Sequence, residues 1–196
     1  MLESLLISYF LGAIPFSYIF TKSLCGKDIT KLGSKNVGTS NAVYSCGMKV
    51  GLLCLIGDFF KGYFAYLIAS GLFGLSGWAL VITSVAVVAG HNWSIFLKFK
   101  GGKGIATTWG VLCASNPLAG LLGALFMLVI TLFTKYMAMG TVLACVFVFL
   151  ISLVPFFNFN AMLILMLLLT ILPKHYENYL RIRNGTEIKI NERLKE

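Results

Sequence analysis

Between Ile105 and Pro173 the chain carries a single charged side chain, Lys135. A soluble core does not bury apolar sequence of that length. A bilayer does, because its hydrocarbon takes about 20 apolar residues of helix per crossing. The rest of the chain agrees: 58% of its 196 residues are hydrophobic, 12% are charged, and the mean hydropathy is +0.88. Lipid tolerates only helices and closed barrels, since backbone polar groups must be satisfied internally. The predicted fold class is therefore an all-α integral membrane protein, a compact bundle read as one domain over residues 1–196, without repeats or low-complexity linkers.

The net charge of +9 falls between apolar runs and in the tail, which is the positive-inside pattern rather than a nucleic-acid footprint. No nucleic-acid partner is expected. Residues 2–20 form the first run, where Gly12 and Pro15 predict a kink. Residues 21–49 carry Lys22, Lys27, Lys31, Lys35 and Lys49 against Asp28, so this loop is assigned to the cytoplasm. Spans over 50–69 and 78–95 follow, joined by the uncharged turn 70–77. Asn116-Pro117 is a strong breaker. Keeping 105–134 as one helix gives six crossings and leaves Lys174, Arg181, Arg183, Lys189, Arg193 and Lys195 outside. Splitting it gives about seven transmembrane helices, with the N-terminus outside and the C-terminus cytoplasmic. Segment 105–115 then spans only about 16 Å and 161–172 is also short, so these are expected to be tilted, partly re-entrant or extended past these bounds; five crossings satisfy the same charge rule if they re-enter. Glu3 and the lack of a basic leader predict a retained first span. Cys25, Cys46, Cys54, Cys113 and Cys145 make no C-x-x-C pair, so neither a metal nor a disulfide framework is expected.

Three polar stretches interrupt this pattern. Gly90-His91 begins the first, which ends Lys98-Phe99-Lys100-Gly101-Gly102-Lys103-Gly104 and runs straight into an apolar helix. Glycine lets backbone N–H groups approach a ligand and lysine adds a mobile positive charge, a combination suited to phosphate. The same lysines also serve as a membrane anchor. It is not a Walker A loop, lacking the four-residue spacer and the Ser/Thr after lysine. The second stretch, Gly33-Ser34-Lys35-Asn36-Val37-Gly38-Thr39-Ser40-Asn41, is rich in hydroxyl and carboxamide donors, though loops leading into helices often look alike. The third is the tail, Lys174-His175-Tyr176-Glu177-Asn178, in which His175 and Asn178 share a helical face. Within the second span, Asp58 and Lys61 are three apart on one face, either neutralising each other or orienting a basic group toward a ligand.

Taken with Leu11-Gly12-Ala13-Ile14-Pro15-Phe16, these stretches resemble the bacterial acyl-phosphate:glycerol-3-phosphate acyltransferases, the PlsY family, over almost the whole chain. The resemblance implies a seven-helix enzyme of the bacterial inner membrane with its site on the cytoplasmic side. Its substrates are acyl phosphate and glycerol 3-phosphate, its products lysophosphatidic acid and phosphate, and it uses no cofactor and no metal. It implies catalytic contacts from Ser34, Asn36, Lys103, His175 and Asn178. Gly33, Lys35, Gly38, Asn41, Lys61, His91, Lys100, Gly101, Gly102 and Gly104 are implied to bind substrate or phosphate, and Asp58 and Glu177 to orient them. Beyond the lipid bilayer, the partners implied are other enzymes of phospholipid synthesis. An H-x-x-x-x-D acyl-CoA signature is absent, since Phe96 and Leu180 follow the two histidines at that spacing. Tyr44 and Tyr176 stand where the family usually carries Arg, and Lys35 where it prefers Gly, so Lys35 is read as restoring a lost charge. A small organic-phosphate transporter and an inactive paralogue are the alternative readings.

Overall fold

The structure, a computed structural model, describes residues 1–157 and 159–190; Arg193 and Lys195 of the basic tail lie outside the described residues. These residues form nine α-helices and no strand: α1 (Leu2–Ala13), α2 (Phe16–Cys25), α3 (Thr39–Cys46), α4 (Met48–Leu67), α5 (Gly77–Asn92), α6 (Ile105–Ser115), α7 (Pro117–Thr134), α8 (Met137–Ser152) and α9 (Ala161–Arg183). Four stretches are long and apolar enough to cross a membrane by length and composition: Leu2–Cys25, Met48–Leu72, Gly77–Leu97 and Pro117–Thr134. Ile105–Ser115 and Met137–Ser152 are shorter apolar helices, and the first half of α9 is apolar as well.

The expected kink at Pro15 is a full break between α1 and α2. Proline has no N–H to donate and its ring disrupts the preceding turn, so carbonyls there lose their helical partners. Both are met by side chains from other elements. Ser94 Oγ donates to Ala13 O at 2.6 Å, and Lys61 Nζ donates to Ile14 O at 2.9 Å. The buried Lys61 is in turn paired with Asp58 at 2.8 Å. Asp58 also accepts from Ser17 Oγ at 3.0 Å and lies 3.3 Å from His91 Nδ1. One cluster therefore ties α2, α4 and the end of α5 to the break.

Small residues set the helix spacing. Gly12 packs on the Val87 carbonyl, Gly62 on that of Thr107 and Gly110 on that of Phe59, close approaches that a side chain would prevent. Thr107 Oγ1 also donates to Asp58 O at 3.0 Å. The start of α6 thus lies beside the middle of α4, which explains its length: α6 accompanies only the second half of α4. Asn116 divides α6 from α7 as expected, its Oδ1 accepting from Leu118 N and Ala119 N with Pro117 in the first turn. Lys135 turns the chain in a left-handed conformation into α8, and Phe126 stacks on Phe147 across this hairpin with ring centroids 4.2 Å apart. The last helix differs from the expected 161–172. It continues through Pro173 to Arg183, and Asn92 Nδ2 donates to Thr170 O at 3.1 Å, one residue from the carbonyl that Pro173 leaves unmatched. Val87, Val88, Val111, Leu112, Val148, Leu163, Leu167 and Ile171 form the core between α5, α6, α8 and α9.

Breaking a buried ion pair by removing one partner costs about 3–5 kcal/mol, while replacing both charges with apolar groups is often near neutral. Asp58→Ala, which leaves Lys61 unpaired, is expected to lower the thermal unfolding temperature in detergent sharply. Asp58→Leu with Lys61→Met is expected to lower it less, a difference read directly by melting the two purified variants.

Candidate active site

The first polar stretch is folded around Asn41, 2% exposed on the first turn of α3. Its Nδ2 donates to the carbonyls of Ile29, Leu32 and Asn36 at 3.0–3.2 Å, and its Oδ1 accepts from Ser34 N at 3.3 Å. Asn41 therefore shapes the loop that holds Ser34. Gly33 has φ +49, and a Cβ there would sit 2.3 Å from Asn41 Oδ1, so only glycine lets the chain turn so close. Gly38 caps α3 in an extended conformation beside the Asn36 carboxamide. Lys35 is exposed and has φ +57. That left-handed conformation costs a residue with a Cβ about 1–2 kcal/mol. Tyr44, three residues beyond Asn41 on the same face of α3, lies against Gly33. Gly33, Ser34, Ser40, Asn41, Tyr44 and, from the tail, Ile188 line a cavity of about 190 Å³.

The glycine-lysine loop lies between this first loop and the end of α5. Gly102 N donates to His91 O at 3.1 Å. A Cβ on Gly102 would lie 2.2 Å from His91 Nε2 and 2.3 Å from Val37 O, so the loop is pressed from both sides. His91 thus has one nitrogen toward Asp58 and the other against the loop. Lys61 and His91, read from sequence as phosphate contacts, are placed beneath the loop, with Lys61 committed to Asp58 and Ile14 O. Gly101 is pressed against the carbonyl of His91, Lys100 is exposed on the approach, and Gly104, left-handed, opens α6.

Lys103 joins this loop to the tail by donating to Asn178 Oδ1. Asn178 Nδ2 donates to Glu187 Oε1 at 2.8 Å, and Arg181 Nε donates to Glu187 Oε2 at 2.7 Å. Glu187, which the sequence reading did not single out, thereby fixes which end of the Asn178 carboxamide faces Lys103. Its signal was an acid following Gly185-Thr186 in a mostly basic tail. Glu177, expected to orient the site, is solvent-exposed and pairs with Arg181 at 3.6 Å. Tyr176 is exposed as well. His175, beyond the apolar half of α9, is 5% exposed. Its Nδ1 donates to Ile171 O at 2.9 Å, because a carbonyl only accepts, and its Nε2 has no hydrogen-bond partner among the described residues. Burial pushes the imidazole down to about 4, with the nearby Lys103 charge acting in the same direction. His175 is therefore neutral near pH 7, with a lone pair on Nε2.

Two outcomes follow from this geometry. The unfolded chain takes up a His175 proton near pH 6.5, while the folded protein does so only near 4. This contribution to stability is thus complete above pH 6.5 and is lost as pH falls toward 4. Melting temperatures measured across that range should fall less steeply for His175→Gln than for the parent. For Lys103→Met, loss of the charged hydrogen bond to Asn178, worth about 1.5–3 kcal/mol, should lower the melting temperature of the purified protein.

Residues 2–185 match the family described as glycerol-3-phosphate acyltransferase. The chain is 42% identical over 187 residues to the glycerol-3-phosphate acyltransferase of Thermotoga petrophila, covering 95% of this chain and 94% of that protein. It is 36% identical over 183 residues to that of Aquifex aeolicus, covering 93% and 95%. Two crystal structures of PlsY (YgiH), an integral membrane glycerol 3-phosphate acyltransferase, share its fold. The glycerol 3-phosphate form superposes with a TM-score of 0.89 at 35% identity, covering 96% of this chain and 94% of that one. The lysophosphatidic acid form gives 0.88 at 34%, covering 100% and 98%. With nearly end-to-end similarity in both sequence and fold, the chain belongs to the glycerol-3-phosphate acyltransferase family.

Proposed function

We propose that this protein transfers a fatty acyl group from acyl phosphate to the 1-hydroxyl of glycerol 3-phosphate, giving lysophosphatidic acid and phosphate. One observation carries the reading. The Lys103–Asn178–Glu187 linkage joins the glycine-lysine loop to a tail segment that also walls the Ser34 cavity. Three phosphate-suited stretches, far apart in sequence, thus form one region beside apolar helices. Glycerol 3-phosphate and lysophosphatidic acid are the molecules named for the two PlsY forms, and they are substrate and product of this reaction.

In the step itself, the 1-hydroxyl oxygen attacks the acyl carbonyl carbon, the bond from that carbon to the phosphate oxygen breaks, and the hydroxyl proton leaves with the phosphate. The mixed anhydride is already activated, so no protein nucleophile is needed and catalysis rests on positioning and charge neutralisation. Lys103 and the backbone N–H groups of Gly101 and Gly104 receive phosphate, while the Gly102 N–H stays on the His91 carbonyl and holds the loop in place; Asn178 holds the Lys103 ammonium in place, and Ser34 and Asn36 donate to phosphate or carbonyl oxygens. His175 Nε2 accepts a hydrogen bond from the acceptor. The charge pattern supports a site on the cytoplasmic face with seven crossings and the N-terminus outside, and the family resemblance supports the bacterial inner membrane as its location.

The test supplies purified protein in detergent with acyl phosphate and labelled glycerol 3-phosphate. Lysophosphatidic acid and inorganic phosphate released in equal amounts are the expected result. Uptake of glycerol 3-phosphate into liposomes without chemistry would instead make the protein a transporter, and neither activity an inactive paralogue. Lys35→Gly relieves a left-handed backbone worth about 1–2 kcal/mol, so its melting temperature should rise. Its KM for glycerol 3-phosphate should rise too; an unchanged KM would mean that Lys35 does not replace a charge.

A further inference from the structure

The exposed residue Ile188 lines the cavity beside Ser34, yet belongs to the segment after α9. Short unstructured segments after a helix usually fray, but this one is pinned on both sides of Ile188. Upstream, Thr186 N and Glu187 N donate to Arg181 O at 2.8 and 3.2 Å. The buried Glu187 carboxylate is held by Asn178 and Arg181. Downstream, Ile190 N donates to Lys135 O at 2.9 Å, on the turn between α7 and α8. Ile188 is thus held at the cavity mouth by backbone and carboxylate bonds, and the clamp leaves its branched side chain on the wall shared with Tyr44.

The cavity's volume of about 190 Å³ is below the roughly 300–1,000 Å³ of pockets that enclose drug-sized ligands. That is the scale of a small polyol phosphate, with Ile188 on the wall that a longer one would meet. The walls contributed by Gly33, Ser34, Ser40 and Asn41 come from one loop and helix start cross-linked through Asn41, so they cannot retreat. Of the two remaining wall residues, Tyr44 and Ile188, Ile188 comes from the separately pinned tail segment. The geometry points to Ile188 as a specificity-determining residue that limits the acceptor to a short polyol phosphate. This rests on the acyl-transfer reading of the site and adds to it the element that sets acceptor size.

The experiment compares kcat/KM for glycerol 3-phosphate and for a six-carbon alditol phosphate in the purified protein, Ile188→Ala and Ile188→Trp, with acyl phosphate as donor. Ile188→Ala is expected to shift the ratio toward the larger acceptor by about tenfold, the lower range for a change of one pocket side chain. Ile188→Trp is expected to raise KM for glycerol 3-phosphate while leaving kcat within about twofold. A purely structural role would depress both acceptors equally and leave their ratio fixed, and that result overturns the inference. An inactive parent protein would remove the acyl-transfer reading itself, and the inference with it. Equal melting temperatures across the three proteins, expected for a half-exposed position, separate specificity from unfolding.

Discussion

A helix broken by proline inside a membrane exposes carbonyls that hydrocarbon cannot satisfy, and much of this protein is arranged around one such break. Each unsatisfied group costs several kcal/mol in lipid. At Ala13 and Ile14 the missing donors arrive as the Ser94 hydroxyl and the Lys61 ammonium. A buried ammonium then requires a counter-charge, which is Asp58. The carboxylate requires further donors, which are Ser17 and His91. Because His91 also presses on Gly102, the chain of requirements that begins at Pro15 ends at the backbone of the glycine-lysine loop. Structure and function meet at that histidine.

The same chain of bonds separates two kinds of polar residue that look alike in the sequence. Asp58, Lys61 and His91 satisfy one another and the helix break. Lys103, Asn178 and Glu187 satisfy one another across two segments that a ligand could approach. Both groups are mixtures of charges and donors flanked by apolar sequence. Only the three-dimensional arrangement separates the group that supports the helix break from the group we propose for the chemistry.

Much of the fold was legible because bilayer energetics leave few choices. The apolar runs, the break at Pro15 and the division at Asn116-Pro117 all follow from local rules about length, missing N–H groups and capping. Local rules left the continuation of α9 past Pro173 as one of three alternatives, because what supports it is packing and Asn92 from another helix. In the site, the three polar stretches were readable by composition, and Lys103 and Asn178 do meet. The role of Asn41 as the centre of its loop depends on carbonyls of Ile29 and Leu32, which no side-chain pattern announces. Glu187 was missed for a related reason: its partners lie on the preceding helix, reached only once the chain turns back at Gly185. Lys35 gained a backbone explanation for a glycine preference, since its left-handed turn is one that glycine adopts without strain.

The late start of α6 has a consequence for how a two-phase reaction is run. Its first turn stands beside Asp58, partway along an apolar α4, so the loop that precedes it is recessed rather than perched beyond the helix ends. Lifting an acyl tail into water costs about 0.8 kcal/mol for every methylene exposed. For the acyl donor we propose, a recessed loop spares that desorption: the headgroup reaches the cations while the tail stays dissolved in oil. In the reaction we propose, the 11-residue α6 thereby sets the depth at which oil-soluble and water-soluble reactants share a boundary.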